Sequence, residues 1–197
     1  MSVPGVAARE AFSDLETLKC GAQGMAFVAD RLTDDDLDRP SPCAEWTVGD
    51  VIEHLVRTLD LAAVILDGNP PDPARSRDAP AVRRAARRLI LAADAADLSL
   101  VHDTPIGRLS GGDVVAHASL DLLAHTWDVA AGARVAGATL DEDIAERALR
   151  YAVSSIPDAH RGAHLAPAVP VDPAAPAEAR LVGFLGRDPR WRPPVRD

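Results

Sequence analysis

Residues 113–130 read DVVAHASLDLLAHTWDVA, a segment whose spacing indicates a helix with a polar stripe along one face. In a helix, residues four apart lie on the same side, with Cβ atoms about 5–6 Å apart. His117, Asp121 and His125 would therefore share one stripe in a segment otherwise rich in Val, Leu and Ala. Imidazole and carboxylate groups at this spacing are suited to binding a divalent cation through adjacent turns.

The segments around this helix predict further long helices. Thr47 suits an N-cap position and Asp50 lies three residues further on, close to a capping box, so a helix should begin at Val48. Ser110 or Asp113 could cap the helix that contains the polar stripe. Four long helices joined by modest connections are typical of a four-helix bundle. Apolar residues recur in helical steps over residues 6–32, 48–66, 81–100 and 140–156.

The remaining segments are predicted as loops or extended chain. Residues 33–46 (TDDDLDRPSPCAEW) are acidic and rich in proline, which a helix interior does not accommodate. Residues 101–112 (VHDTPIGRLSGG) show no convincing strand alternation, so we interpret them as a loop. A short helix is predicted within residues 175–186. We expect an all-α fold in which residues 1–157 form the bundle with an added helix, and residues 158–197 form a Pro/Ala-rich extension with a short helix.

The composition limits the classes of function. The chain has 197 residues, enough for one domain with a buried core, and its net charge of −9 argues against nucleic acid or anionic membrane as partners. Cys20 and Cys43 are too few and too far apart for a disulfide framework or a thiolate metal site. No signal peptide or membrane-spanning run is recognised, so we expect a cytoplasmic protein with a small-molecule substrate. An Ala-rich bundle face could support a homodimer.

A third metal ligand is expected from a neighbouring helix, because two ligands on one helix seldom complete a site. His54 is the candidate, since it lies at the edge of the apolar face of the helix over 48–66. His54, Asp121 and His125 would suit Zn²⁺, with Ni²⁺, Mn²⁺ or Fe²⁺ as alternatives, and three ligands would leave a position open for water or substrate. The alternative is that His54 has only a structural role and that the spacing of Asp121 and His125 arises by chance.

Four further residues have alternative roles. His117 could be a fourth ligand, could hydrogen bond to Asp121, or could remain unligated and carry protons as a catalytic group. Asp128 could pair with an arginine or could orient a ligand imidazole. Trp46 could pack against the start of the helix that begins at Val48, and Trp127 could fill space in the core.

Three ordered segments resemble motifs of an actinobacterial DinB-like family. They are DRPSPCAEWTVGDVIEHLV (residues 38–56), HASLDLLAHTWDVA (117–130) and PAEARLVGFLGRDPRW (176–191). The family is related to the metal-binding N-terminal domain of mycothiol-dependent maleylpyruvate isomerase. The resemblance implies an up-down-down-up four-helix bundle that holds a divalent metal between helices, with His54, Asp121 and His125 at the ligand positions. His117 matches a histidine common in the actinobacterial subgroup.

Two functions are consistent with this pattern. The first is a metal-dependent transferase or isomerase that adds or exchanges a thiol such as mycothiol at a small electrophile; the same site could instead act as a hydrolase. The second is a non-catalytic metal-binding bundle that senses metal or thiol, or binds a partner. We favour the enzyme. The isomerase relatives carry a substantial C-terminal domain, whereas about forty residues follow Pro157 here, so contacts made by that domain are absent or differently supplied.

Overall fold

A computed structural model describes residues 15–70, 77–156, 161 and 165–194. The all-α prediction is confirmed, because helices dominate the described residues. The predicted start of the first helix, over residues 6–14, lies outside them. The elements are α1 (Leu15–Ala29), α2 (Asp34–Leu37), α3 (Val48–Asp67), α4 (Ala79–Ala95), β1 (Val101–Thr104), β2 (Gly107–Ser110), α5 (Gly111–Ala133), α6 (Glu142–Ser155) and α7 (Ala177–Phe184).

The long helices α1, α3, α4 and α5 pack around one apolar core. Helix α5 contacts α1 on one side and α3 on the other, and α4 closes the ring by contacting both α1 and α3. Gly21 of α1 faces Leu122, and Gly24 faces Thr126, so α1 and α5 run in the same direction. The absence of side chains at these two glycines lets the helices approach closely.

Helices α3 and α5 run in opposite directions. A Cβ at Gly132, near the end of α5, would lie 2.6 Å from Cγ2 of Val48 in the first turn of α3. At the other end, Gly111 of α5 faces Leu66 of α3. This arrangement places the beginning of α3, which carries His54, beside the second half of α5.

Local capping fixes where α3 and α5 begin. The Oγ1 atom of Thr47 accepts a hydrogen bond from the Asp50 amide at 3.2 Å, and Oδ2 of Asp50 accepts one from the Thr47 amide at 2.9 Å. The predicted capping box is therefore confirmed. Ser110 caps α5 by accepting a hydrogen bond from the Asp113 amide at 3.1 Å. These contacts satisfy amides that have no partner within the first turn of a helix.

Two predicted loops are wrong in part. Residues 101–110 form an antiparallel hairpin in which Val101 pairs with Ser110 and Thr104 with Gly107. All of its residues are exposed or half-buried, so its sequence lacks the alternation that a strand facing a core would show. Within residues 33–46, Asp34–Leu37 form the one-turn helix α2, which is too short to produce a helical period.

The predicted helix over residues 81–100 also ends early, at Ala95. The side chain of Asp97 accepts hydrogen bonds from the amide and the hydroxyl of Ser99, at 3.0 and 2.6 Å. Aspartate side chains that bond to the nearby backbone compete with helical hydrogen bonds. The chain therefore turns before the hairpin instead of continuing as helix.

A second apolar cluster covers the side of α5 that does not face the bundle core. Helices α6 and α7 pack against each other and against this side of α5. The buried members of the second cluster are Ala116, Leu120, Leu123, Ala124, Ala148, Tyr151, Ala152, Leu181 and Leu185.

Within the part of the chain that the structure describes, we find no helix with both the length and the apolar character needed to cross a membrane.

Candidate metal centre

The structure brings His54, Asp121 and His125 together between α3 and α5. One candidate ligand atom from each residue lies within 4.8 Å of the other two. Nε2 of His54 is 3.7 Å from Oδ2 of Asp121, and the two imidazole ring centroids are 4.9 Å apart. Separations of this size leave space for a cation between the groups, because metal–nitrogen and metal–oxygen bonds are about 2 Å long.

The three side chains are exposed to different degrees. The side chain of His125 is 8% exposed, that of His54 28% and that of Asp121 42%. Removal from water opposes ionisation of Asp121, but the imidazoles of His54 and His125 outweigh this effect and lower the pKa of its carboxyl. The group therefore combines one anionic oxygen and two imidazoles in a site that is closed at His125 and open towards solvent at Asp121.

Asp128 determines which nitrogen of His125 can face an ion. Burial opposes ionisation of Asp128, but its hydrogen bond with His125 and the charge of Arg187 hold the pKa of the carboxyl at about 2. An ionised carboxylate can only accept hydrogen bonds, so Nδ1 of His125, at 2.9 Å from Oδ2 of Asp128, must carry a proton. In the neutral imidazole the other nitrogen, Nε2, carries the lone pair, which is the usual arrangement behind a metal-ligating histidine.

Asp128 also belongs to a buried ion pair. The Nη2 and Nε atoms of Arg187 donate hydrogen bonds to its two carboxylate oxygens at 2.8 and 3.3 Å. The side chain of Asp128 is fully buried and that of Arg187 is 13% exposed. Although burial disfavours its charged form, the carboxylate of Asp128 raises the pKa of Arg187. Asp128 therefore pairs with an arginine, and it also makes the hydrogen bond to His125 that orienting a ligand imidazole would require.

Cys43 completes this buried cluster. Its thiol donates a hydrogen bond to Oδ2 of Asp128 at 3.1 Å, and its sulfur accepts one from Nη2 of Arg187 at 3.3 Å. Burial and the nearby carboxylate raise the pKa of Cys43 to about 12, so at neutral pH the residue is a thiol. A thiolate is the form of cysteine that binds metals, and this site does not favour it.

Two groups of candidate ligands are therefore present in the described residues, and they share His125. In the group of Cys43, His125 and Asp128, a guanidinium already lies within hydrogen-bond distance of two of the three donors. A divalent cation there would have to displace Arg187. In the described part of the chain no arginine hydrogen bonds to His54, Asp121 or His125, and the donor set of this group fits a divalent cation better.

His117 lies outside both ligand groups. Its Nδ1 is 2.8 Å from the carbonyl oxygen of Asp113 and 2.7 Å from the hydroxyl of Tyr151 on α6. The Tyr151 side chain is fully buried. His117 is thus held towards α6, one turn before Asp121, and its ring nitrogens do not belong to either ligand group.

Trp46 forms one wall of the candidate centre. Its ring centroid is 5.1 Å from that of His54 and 6.3 Å from that of His125, and it is nearly parallel to the latter. Sequence reasoning assigned Trp46 only to the helix entry and gave no site role to Cys43, Arg187 or Tyr151. Trp46, Cys43 and Arg187 all lie within the three motifs quoted above, which is the signal that could have identified them.

Comparisons with known proteins identify a family and relatives of this chain. The family model described as the mycothiol maleylpyruvate isomerase N-terminal domain matches residues 18–130. Two uncharacterized proteins of Mycobacterium tuberculosis, from strains CDC 1551 / Oshkosh and ATCC 25618 / H37Rv, are each 30% identical over 160 residues, covering 79% of this chain and 87% of the relative.

No solved structure matches the chain at a significant level. DinB-like domains of the kind matched here are metal-binding, and the described residues include groups that could hold an ion. The family match covers more than half of the chain. The chain therefore belongs to the mycothiol-related, DinB-like family of the mycothiol maleylpyruvate isomerase N-terminal domain.

Proposed function

We propose that the protein is a metal-dependent enzyme of the mycothiol-dependent transferase or isomerase type, which adds or exchanges a thiol at a small electrophile. The observation that carries the proposal is the three-residue group between α3 and α5, which is open on one side. Its three donors leave room in the coordination sphere of a divalent cation for an exogenous ligand. Membership of a mycothiol-related family supports a thiol as that ligand.

The residues of the chain would divide the work as follows. His54, Asp121 and His125 would hold the ion, which we propose to be Zn²⁺, with Ni²⁺, Mn²⁺ or Fe²⁺ as alternatives. Asp128 would fix the orientation of His125 through the 2.9 Å hydrogen bond to Nδ1. A bound divalent cation would favour the deprotonated form of a thiol at neutral pH.

His117 is the proposed proton carrier. In thiol addition, the sulfur forms a bond to an electrophilic carbon while a carbon–carbon π bond or an epoxide carbon–oxygen bond breaks. The proton lost by the thiol must reach the carbon or oxygen atom that gains the electron pair. His117 lies one helical turn from Asp121 and is bonded to the Tyr151 hydroxyl at 2.7 Å, which supports this role.

A non-catalytic role would be favoured by a closed, four-ligand centre, with His117 as the fourth ligand. In the structure the contacts of His117 are to Asp113 and Tyr151, and the exposed fraction of Asp121 is 42%. These observations support the open centre. The alternative, a sensor or interaction module with a closed centre, is tested by the metal-binding experiment.

Metal analysis is the first test. The untreated protein is expected to contain about one divalent ion per chain. His54→Ala and His125→Ala should each lose most of it, whereas His102→Ala, on the hairpin, is a histidine control that should keep it. His117→Ala should retain the metal and lose activity. Unchanged metal content in the His125 variant would refute the assignment, and metal loss in the His117 variant would favour the closed centre.

A panel of small electrophiles, tested with and without mycothiol, determines which reaction the protein catalyses. Turnover that needs both the thiol and the metal supports the proposal. Metal-dependent turnover of esters or amides without thiol would make the protein a hydrolase. Binding of metal with no turnover of any electrophile would favour the non-catalytic bundle.

A further inference from the structure

We propose that Arg187 is a positioning residue for the metal ligand His125 and that it couples the C-terminal segment, defined here as residues 177–194, to the affinity of the metal centre. The inference rests on the proposed metal centre and assigns a role to a residue outside the family match, which ends at residue 130. Arg187 would act through Asp128, without touching the ion.

The contacts form a continuous chain from the C-terminal segment to the ligand. Arg187 binds both carboxylate oxygens of Asp128, at 2.8 and 3.3 Å. Asp128 in turn accepts the hydrogen bond from Nδ1 of His125 at 2.9 Å. The two-point contact fixes the plane of the carboxylate, because a guanidinium donates through a rigid fork. The position of Oδ2 then sets the direction in which Nε2 of His125 points.

The burial of these groups makes the arrangement sensitive to change. The side chains of Asp128 and His125 are 0% and 8% exposed, so water cannot readily replace a lost partner. Without Arg187, Oδ2 of Asp128 would still accept hydrogen bonds from His125 and Cys43. The carboxylate would lose the contact to its other oxygen, Oδ1, and with it the restraint on its rotation.

The position of Arg187 depends on how the C-terminal segment is docked. The amide of Arg187 donates a hydrogen bond to the Val182 carbonyl at 2.9 Å, and Nη1 of Arg187 donates one to the Leu185 carbonyl at 2.8 Å. Gly186 just before it has a φ of +85°, a conformation suited to glycine, and a Cβ there would meet Ala166. Leu185 is buried in the second apolar cluster. Docking of this segment and orientation of His125 are therefore linked.

The test is the affinity of the metal-free protein for Co²⁺, whose visible spectrum also reports ligand geometry. Arg187→Met is expected to weaken Co²⁺ binding up to about ten-fold, because it acts one step behind Asp128, and loss of a residue bonded directly to a ligand usually costs about ten- to hundred-fold. Arg187→Lys keeps the positive charge without the planar guanidinium, so its affinity for Co²⁺ should lie between those of Arg187→Met and the wild-type protein. Arg190→Met is the matched control, because the Arg190 side chain is 90% exposed and contacts Asp188.

The outcomes separate the two proposals. If the wild-type protein does not bind Co²⁺, the metal centre itself is wrong. If it binds, and Arg187→Met and Arg187→Lys bind with unchanged affinity and spectrum, the metal centre stands and the positioning role is wrong. Weaker binding in Arg190→Met by the same factor would also contradict the inference.

Hydrogen exchange of the wild-type protein provides a measurement that needs no variant. Because coupling is reciprocal, bound metal should slow amide exchange in the C-terminal segment several-fold more than in α4, which lies away from the centre. Equal slowing in both regions would mean that metal stabilises the whole fold without specific coupling, and would overturn the inference.

Discussion

Replacing Asp128 with asparagine tests the buried cluster directly. The substitution keeps the size and shape of the side chain but removes its charge, so it creates no cavity. Arg187 would remain 13% exposed and without its counter-charge, and His125 would lose the anion that accepts its Nδ1 proton. Breaking a buried ion pair from one side typically costs about 3–5 kcal/mol of folding free energy.

The pKa of Asp128 gives a second measure of the same effect. A carboxyl whose pKa falls on folding from 3.8 to about 2 contributes on the order of 2–3 kcal/mol at neutral pH. We therefore expect Asp128→Asn to lower the free energy of unfolding by about 3 kcal/mol. Urea unfolding at pH 7, followed by circular dichroism in the presence of a chelator, measures this without a contribution from bound metal.

Asp188→Asn is the matched control. The Asp188 side chain is 45% exposed and pairs with the exposed Arg190, so its loss should change stability far less than the loss of the buried Asp128 does. A cost below about 1 kcal/mol for Asp128→Asn, close to that of the control, would contradict the view that the buried ion pair stabilises the fold.

Further expected outcomes concern acid, the α3 cap and the His117 contact. Since the pKa of Asp128 is lowered on folding, its contribution to the free energy of unfolding is present above about pH 4 and is lost as the pH falls towards 2. Asp128→Asn should therefore flatten the acid dependence of stability measured by urea unfolding, and an unaltered dependence would refute this. Thr47→Ala should cost about 1 kcal/mol by removing the α3 cap, and an unchanged urea midpoint would count against it. Tyr151→Phe should retain metal but lower turnover and shift its pH profile, because His117 loses a contact at 2.7 Å; a wild-type profile would show that this contact does not serve the reaction.

Local signals in the sequence predicted much of the structure. The capping box at Thr47 and Asp50 and the cap at Ser110 depend on residues three positions apart, and both are present. The spacing of Asp121 and His125 placed them on one face of α5, which the structure also has. Such features could be predicted because helix geometry alone determines which residues meet.

Other features depend on contacts between distant parts of the chain. Arg187 is 59 residues from Asp128 and 144 from Cys43, so no local pattern indicated that the three side chains meet. In the sequence, Cys43 could be judged only from the number and spacing of cysteines, and the charged groups that act on its pKa come from α5 and the C-terminal segment. The hairpin was missed because its strands face solvent over most of their length.

The two-sided burial of α5 has a consequence for where this domain can be divided. The family match ends at residue 130, but Leu120 and Leu123 of α5, only 6% and 2% exposed, pack in the cluster that contains Tyr151 and Leu181. A protein shortened to residues 18–130 would present that apolar face to water and should associate or misfold. The end of the family match is therefore not expected to be a limit of independent folding, and we expect the smallest autonomous unit to include α6 and α7.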